Sequence, residues 1–195
     1  MFMRLEAPAL RPARQEDAED LARLADLAAE GLASAFWAGL AGPGERPLDV
    51  GIRRAAGGEG AFSWRTAVMA EVHGRVAGAL VAYHARGREP VGEVAPVFRP
   101  LQALENRAAG TLYLNVIATY PEFRCRGVAS RLLAEAERWG RGARGGLSVI
   151  VADRNHPARR LYEAFGFREA GREPMVKDGW ASLSEAWVLM MKPLG

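Results

Sequence analysis

The sequence predicts an α/β fold in which a mixed sheet is flanked by helices. In the first half of the chain, two β-rich runs are separated by only two residues, which indicates a hairpin. In the second half, strand patterns alternate with helical patterns. The chain has 195 residues, of which 49% are hydrophobic and 25% charged. These values are typical of one globular domain, so we expect a single domain over residues 1–195.

The first half begins with a short strand and continues with helices. Apolar residues recur at helical spacing over residues 15–30, and Gly31 is the expected stop. Glycine and proline mark the later boundaries. The predicted elements are a strand at 9–12, helices at 15–30, 32–41 and 47–57, and β-rich runs at 64–72 and 75–83, joined by His73 and Gly74.

The second half opens with a loop over residues 86–98, which is rich in proline and glycine near its start. The strand that follows it is strongly apolar and is interrupted by Tyr120-Pro121. The predicted elements are helices at 100–107, 127–139 and 157–165, and strands at 111–119, 147–152, 167–172 and 184–191.

Several classes of protein are disfavoured by composition. No stretch without a charge is longer than residues 31–44, which are fewer than the roughly 20 residues that a membrane-spanning helix needs. The N-terminal residues do not resemble a secretory or transit segment, so we expect a cytoplasmic protein without a membrane partner. Cys125 is the only cysteine and the three histidines are scattered, so neither a disulfide nor a metal site is expected.

The net charge is +3 and the pI is near 9.4. Only two of the 26 basic residues are lysines. A modest positive charge suits a nucleic acid or a highly anionic small molecule equally well. A nucleic-acid-binding module remains one hypothesis, but no helix-turn-helix or zinc-finger pattern is present, so we expect no nucleic-acid partner.

The most informative stretch lies after the predicted strand at 111–119. Arg124, Cys125, Arg126, Gly127, Val128 and Ala129 stand at the start of a helix. The first amide groups of a helix lack internal partners and attract anions, and Gly127 allows a phosphate to approach the backbone closely. A solvated turn with two arginines is the alternative interpretation.

A second pattern follows the strand at 147–152, where Asn155, Ala158, Tyr162 and the pair Gly166-Phe167 occupy one predicted helix and its end. Together with Arg124, Gly127 and Ala129, this pattern resembles the acyl-CoA site of the GNAT superfamily of N-acyltransferases. The resemblance covers nearly the whole chain. It implies a mixed, mostly antiparallel sheet and acetyl-CoA as the cofactor.

The resemblance also implies roles for individual residues. The central strand is expected to diverge from its neighbour at Val116–Thr119, where the pantetheine arm would bind the backbone like an added strand. The residues expected to contact acetyl-CoA are Ile117, Ala118, Thr119, Arg124, Cys125, Arg126, Gly127, Val128, Ala129, Ser130, Asn155, Ala158 and Tyr162.

Tyr162 is the catalytic residue that we expect beside the thioester sulfur. A tyrosine, with an ordinary pKa of about 10, is protonated at neutral pH and can donate to a departing thiolate. The attacking amine must also lose a proton, to a carboxylate or to a chain of waters, and no motif identifies this base. Residues expected to contact the acceptor are Glu30, Glu71, Tyr113 and Asn115.

The predicted reaction is the transfer of an acetyl group to a primary amine of a small molecule or peptide, without a covalent enzyme intermediate. An acyl-CoA-binding regulator without turnover is the alternative.

Asn155 can also act as a helix N-cap. Cys125 is interpreted as a residue of the phosphate turn without a role in the reaction, because no histidine partner is indicated. The sequence identifies neither the acceptor nor the oligomeric state, and a homodimer is left open.

Overall fold

Strands and helices alternate along the chain in the computed structural model, which describes residues 7–87 and 90–194. The helices within these residues are α1 (Ala18–Ala28), α2 (Leu32–Ala38), α3 (Pro47–Ala56), α4 (Arg99–Arg107), α5 (Val128–Gly140) and α6 (His156–Ala164). The strands are β1 (Ala9–Pro12), β2 (Ala67–Val72), β3 (Arg75–His84), β4 (Leu112–Thr119), β5 (Leu147–Ala152), β6 (Arg168–Pro174) and β7 (Ala186–Lys192).

The strands form one sheet in the order β1-β2-β3-β4-β5-β7-β6. β2 pairs antiparallel with β1 and β3, and β7 pairs antiparallel with β5 and β6. β4 and β5 are parallel. A parallel pair requires a crossover connection, and α5 lies in the segment that provides it. The predicted mixed, mostly antiparallel sheet with flanking helices is confirmed.

Internal contacts group the chain into two compact units. The first consists of the residues up to Ala82 together with Val116–Ala134. Its core packs α1, α2 and α3 against strand residues, and Trp37 fits over Gly51, where a Cβ atom would lie 2.6 Å from the indole. Buried side chains of this core include Leu21, Leu24, Trp37, Val50, Met69, Val81 and Val116.

The second unit consists of Tyr83–Asn115 and the chain from Glu135 onward. Here α4 packs against β5, β6 and β7. The hydroxyl groups of Thr111 and Ser148 form a hydrogen bond inside this unit, with their oxygen atoms 2.6 Å apart. Its fully buried side chains include Leu104, Leu114, Leu147, Phe167, Leu189 and Met190.

The hairpin between β2 and β3 has the turn that the sequence predicts. His73 and Gly74 have φ angles of 51° and 70°. Two consecutive positive φ angles are typical of a type I′ turn, whose twist matches that of the paired strands. The register of the hairpin shifts once, between Ala70 and Glu71.

The run predicted as a strand at 64–72 begins later than expected. Trp64–Thr66 form a 3₁₀ turn, and β2 starts at Ala67. The side chain of Ser63 accepts a hydrogen bond from the amide of Arg65, and the Thr66 hydroxyl donates to the backbone. Such local bonds from serine and threonine compete with a strand ladder.

Other boundaries also differ. α1 covers only 18–28 of the predicted 15–30, after a 3₁₀ turn at 15–17, and α2 ends at Ala38 rather than at residue 41. β7 begins at Ala186 rather than at residue 184, where the amide of Ser184 donates to the Ser182 hydroxyl. The predicted loop at 86–98 contains 3₁₀ turns at Val91–Glu93 and Pro96–Phe98, and its residues 88 and 89 lie outside the described part.

Gly78 permits a close approach of backbone within the first unit. A Cβ atom at this position would lie 2.4 Å from the carbonyl oxygen of Ala118 and 3.0 Å from a methyl group of Val128. The first of these contacts is with backbone, which cannot move aside as a flexible side chain can. A larger residue would therefore displace the end of β4 and the start of α5.

We expect Gly78→Ala to lower the free energy of unfolding by about 1–3 kcal/mol, the usual cost of overpacking. For a chain of this length, that corresponds to a fall in Tm of about 2–12 °C. Gly92→Ala is the matched control, because a Cβ atom there has open space. Equal melting temperatures for the two variants would show that the approach of Gly78 to Ala118 is not a constraint.

Candidate active site

The loop between β4 and α5 presents its backbone to solvent. Residues 124–127 are exposed, and Cys125 and Gly127 have φ angles of 57° and 78°. A Cβ atom at Gly127 would meet nothing within 4 Å. The carbonyl of Gly127 accepts the first helical bond, from the amide of Arg131 at 2.9 Å. The amides of Val128, Ala129 and Ser130 therefore have no acceptor within the helix and can bind an anion.

Arginine side chains add positive charge around this loop. The guanidinium of Arg126 lies 5.6 Å from the centre of the Phe123 ring, and that of Arg75 lies 5.1 Å from the same ring. Arg75 is also 3.8 Å from Glu122. The ring of Phe123, itself buried, thus holds two cations at the edge of the loop.

The strand that leads into the loop has a short parallel ladder. β4 pairs with β5 from Leu112↔Leu147 to Leu114↔Val149, and the register ends there although β4 continues to Thr119. The Oγ1 atom of Thr119 is buried and has no hydrogen-bond partner among the described residues. The backbone of Val116–Thr119, which includes the predicted contacts Ile117 and Ala118, is therefore not bound to β5.

Asn155 caps helix α6. Its Oδ1 atom accepts a hydrogen bond from the amide of Ala158 at 3.3 Å. Pro157 in the first turn fits this role, because proline lacks the amide that would need a partner there. The N-cap role considered from the sequence is thus confirmed for Asn155.

Tyr162 lies on α6 and is 5% exposed. Its ring centre is 5.6 Å from that of Phe167, so the aromatic pair fixes the ring at the end of the helix. Burial raises the pKa of the Tyr162 hydroxyl well above its usual range. The hydroxyl is therefore a neutral donor throughout the physiological range of pH.

Tyr113, Asn115 and Tyr162 are brought together in the second unit. Burial, before any other cause, raises the pKa of the Tyr113 hydroxyl. Glu105 and Tyr162 add to this effect, and the neighbouring Asn115 side chain opposes it. Tyr113 is buried, whereas Asn115 is exposed. The predicted pairing of Tyr113 and Asn115 on one face of β4 agrees with this contact.

Two residues that the sequence did not single out lie against this group. The ring of Tyr83 meets that of Tyr113 edge to face, with centres 5.4 Å apart. The Tyr83 hydroxyl donates to Oε2 of Glu105 at 3.1 Å. Glu105 is half-buried on α4. We define Tyr83, Glu105, Tyr113, Asn115 and Tyr162 as the tyrosine cluster.

The two carboxylates predicted to contact the acceptor lie in the first unit. Glu71 accepts a hydrogen bond from Arg11 at 2.6 Å, and Arg11 also binds Asp17 through both terminal nitrogens. This network holds Glu71 at the β1–β2 pair. Glu30 follows α1 with a φ angle of 53°, in the turn that precedes α2. Their predicted contact with the acceptor stays a prediction.

A shallow cleft of about 360 Å³ also lies in the first unit. Tyr120 lines it, and the Tyr120 hydroxyl donates to Asp20 at 2.6 Å. The other residues that line it are Arg23, Asp26, Leu27, Ser34, Leu48 and Pro121.

Within residues 7–87 and 90–194, no group of three or more acidic, histidine or cysteine side chains is placed to hold a metal ion. No helix in the same residues has the length and apolar character needed to cross a membrane.

Residues 52–167, more than half of the chain, match the model of the acetyltransferase (GNAT) family. No curated protein matches the sequence. Solved structures do match in fold. An N-acetyltransferase from Staphylococcus aureus Mu50 is 18% identical, with 94% of this chain and 99% of that chain covered and a TM-score of 0.65.

Two further structures have similar folds. A crystal structure described only as an acetyltransferase is 20% identical, covers 94% of this chain and 98% of its own, and has a TM-score of 0.65. A GNAT-family acetyltransferase from Streptococcus pneumoniae is 18% identical, with coverage of 96% and 99% and a TM-score of 0.53. At sequence identities of 18–20%, these similarities show a common fold and nothing more.

Proposed function

Because the chain belongs to the acetyltransferase (GNAT) family, we propose that it transfers the acetyl group of acetyl-CoA directly to a primary amine of a small molecule or peptide. The observation that carries this proposal is the loop at Gly127. An exposed glycine with a positive φ angle, free first-turn amides and two exposed arginines together fit a diphosphate.

The residues present fit acetyl-CoA beyond the phosphates. The backbone of Val116–Thr119 lies beyond the ladder with β5, so on the side away from β3 it can bind the amides of the pantetheine arm as an added strand would. The buried Oγ1 atom of Thr119, which has no hydrogen-bond partner among the described residues, offers the arm a further polar contact. Asn155 uses Oδ1 for its cap, so its amide nitrogen is the donor that it offers to the arm.

Acetyl-CoA supplies an activated thioester, whose carbonyl carbon is open to attack by an amine. The chain contributes binding and orientation, which hold the two reactants in line and account for most of the acceleration. Backbone amides of Ile117 and Thr119 polarise the carbonyl. Tyr162 donates its proton to the sulfur as the C–S bond breaks, and solvent restores that proton.

Burial of Tyr162 supports this role, because it keeps the hydroxyl protonated and removes competing water.

The alternative function, an acyl-CoA-binding regulator without turnover, requires that no amine be acetylated. We therefore propose to measure CoA release with 1,4-diaminobutane, kanamycin, lysine and a peptide with a free N terminus. Release with any of them excludes the regulator.

We expect acetyl-CoA to stabilise the folded chain. At about 100 times its Kd, a ligand adds roughly 2.7 kcal/mol to the free energy of unfolding. For a chain of this length, Tm should rise by about 5–11 °C in a thermal melt. A folded sample whose Tm does not change at millimolar acetyl-CoA would contradict the proposal.

Gly127→Asp should abolish most of that stabilisation, because its carboxylate would repel the phosphates and its side chain would fill the space they need. Gly60→Asp is a matched control, since Gly60 has the same φ angle of 78° and equally open surroundings. Both variants bear similar backbone strain. Only the Gly127 variant should lose affinity for acetyl-CoA, by more than about 100-fold, as measured by calorimetry.

Tyr162→Phe should reduce kcat by about 10²–10⁴-fold, the usual contribution of general acid catalysis, with little change in the Kd for acetyl-CoA. The variant retains the ring and its packing on Phe167. Tyr120→Phe, which removes a hydroxyl bound to Asp20, should leave kcat within a few-fold. Rates of acetyl transfer should be measured before the steady state, and a parental rate in Tyr162→Phe would assign Tyr162 a structural role.

A further inference from the structure

The cleft of about 360 Å³ in the first unit lies beside the end of β4. The apolar side chains that line it are Leu27 of α1, Leu48 of α3 and Pro121. Tyr120 also lines it, and the bond from the Tyr120 hydroxyl to Asp20 ties this ring to α1. Pockets that bind small molecules have volumes of about 300–1,000 Å³, so the cleft has room for one small ligand.

Asp26 gives the cleft a negative charge. Its Oδ1 atom accepts a hydrogen bond from the amide of Ser34 at 2.7 Å, and no cation pairs with its carboxylate within residues 7–87 and 90–194. Arg23 also lines the cleft, but its guanidinium binds Glu19 at 2.6 Å, so that its charge is offset. By charge complementarity, we expect the ligand to present a cation to Asp26.

The cleft adjoins backbone that we assign to the reaction. Tyr120 directly follows Thr119, and the Tyr120 amide donates to the carbonyl of Ala77 in β3 at 2.9 Å. Amides of neighbouring residues in a strand point to opposite sides, so the Thr119 amide points away from β3. Adjacent Cα atoms are about 3.8 Å apart. A wall of the cleft is therefore one residue from an amide proposed to polarise the thioester carbonyl.

Asp26 and Tyr120 lie at different levels of α1, because Tyr120 binds Asp20 and Asp26 follows nearly two turns later. Nearly two turns correspond to about 9 Å along a helix axis. Leu27 and Leu48 line the same cleft. A ligand that contacts Asp26 with a cation and Tyr120 with its other end therefore needs an apolar chain between them.

We propose that this cleft binds the second ammonium group of an acceptor that carries two, with Asp26 as the counter-ion. This inference rests on the proposed acetyltransferase function. It narrows the acceptor from any primary amine to a diamine whose nitrogen atoms are separated by an apolar chain. Asp26 takes no proton and forms no covalent bond in the reaction, and it determines specificity by binding the end of the acceptor that does not react.

The test compares 1,4-diaminobutane with 4-amino-1-butanol, in which a neutral hydroxyl replaces the second ammonium group. For the parental chain, kcat/KM should be at least about tenfold higher with the diamine, after correction for its two equivalent amines. The difference should lie mainly in KM, because the second ammonium group is bound equally before and during the reaction.

Asp26→Asn removes the charge and retains the side-chain oxygen that accepts the Ser34 amide, so α2 keeps this bond in its first turn. In this variant the preference for the diamine should disappear, while kcat with 4-amino-1-butanol should not change. Comparing the two chains cancels the difference in pKa between the two acceptors. Asp178→Asn is the matched control, since the same change at an exposed residue should leave the preference intact.

A second variant changes the wall of the cleft and does not depend on turnover. Leu27 is 37% exposed, so Leu27→Arg adds a cation to the cleft without burying it. Calorimetry with protein saturated with CoA should show at least about tenfold weaker binding of 1,4-diaminobutane, and a smaller effect on 4-amino-1-butanol. Leu40→Arg is the matched control, because Leu40 is 47% exposed and is not among the residues that line the cleft.

The possible failures are distinguishable. The same preference in the parental and Asp26→Asn chains would overturn the role of the cleft and leave the acetyltransferase function intact. CoA release with other amines but not with 1,4-diaminobutane would have the same meaning. Absence of CoA release with every amine would overturn the proposed function, and this inference with it.

Discussion

The parallel ladder between β4 and β5 is only three residue pairs long, and the rest of the proposed site depends on that brevity. A backbone that leaves its ladder must find other partners for its amides and carbonyls, or bind water. In β4 this concerns Val116–Thr119, the residues just before the loop that starts α5. On the side away from β3, the strand therefore offers unpaired backbone groups just before the free amides of a helix. These two features suit one long ligand with amide and phosphate groups.

Local charge matters more than net charge for this ligand. Several arginines of the described residues are neutralised by neighbouring carboxylates, as Arg11 is by Asp17 and Glu71, or Arg46 by Asp49. In the described part of the chain, Arg124 and Arg126 form no such pair. Their charge remains available at the Gly127 loop. A net charge of +3 would not have revealed this, because it sums paired and unpaired groups alike.

The features that could be predicted from the sequence are those determined by local chemistry. His73-Gly74 favours a type I′ turn by itself, Gly127 favours a positive φ angle, and Asn155 before Pro157 favours a cap. The predicted start of the strand at Trp64 was wrong, because the hydroxyls of Ser63 and Thr66 bind the backbone there. Hydrophobic patterning does not detect such competition.

Glu105 could not be predicted in the same way. It stands 22 residues from Tyr83, on a helix whose place against the sheet depends on tertiary packing. One signal was present in principle, since Glu105 follows the buried Leu104 on an amphipathic helix and so lies at the edge of its apolar face. Many exposed glutamates share that pattern, so it does not indicate the contact with Tyr83.

Burial determines which protonation state Tyr162 has within the tyrosine cluster. A hydroxyl that is removed from water resists ionisation, so Tyr162 can act only as a donor at neutral pH. The depth of Tyr162 in the protein thus sets the protonation state that its proposed role as an acid requires.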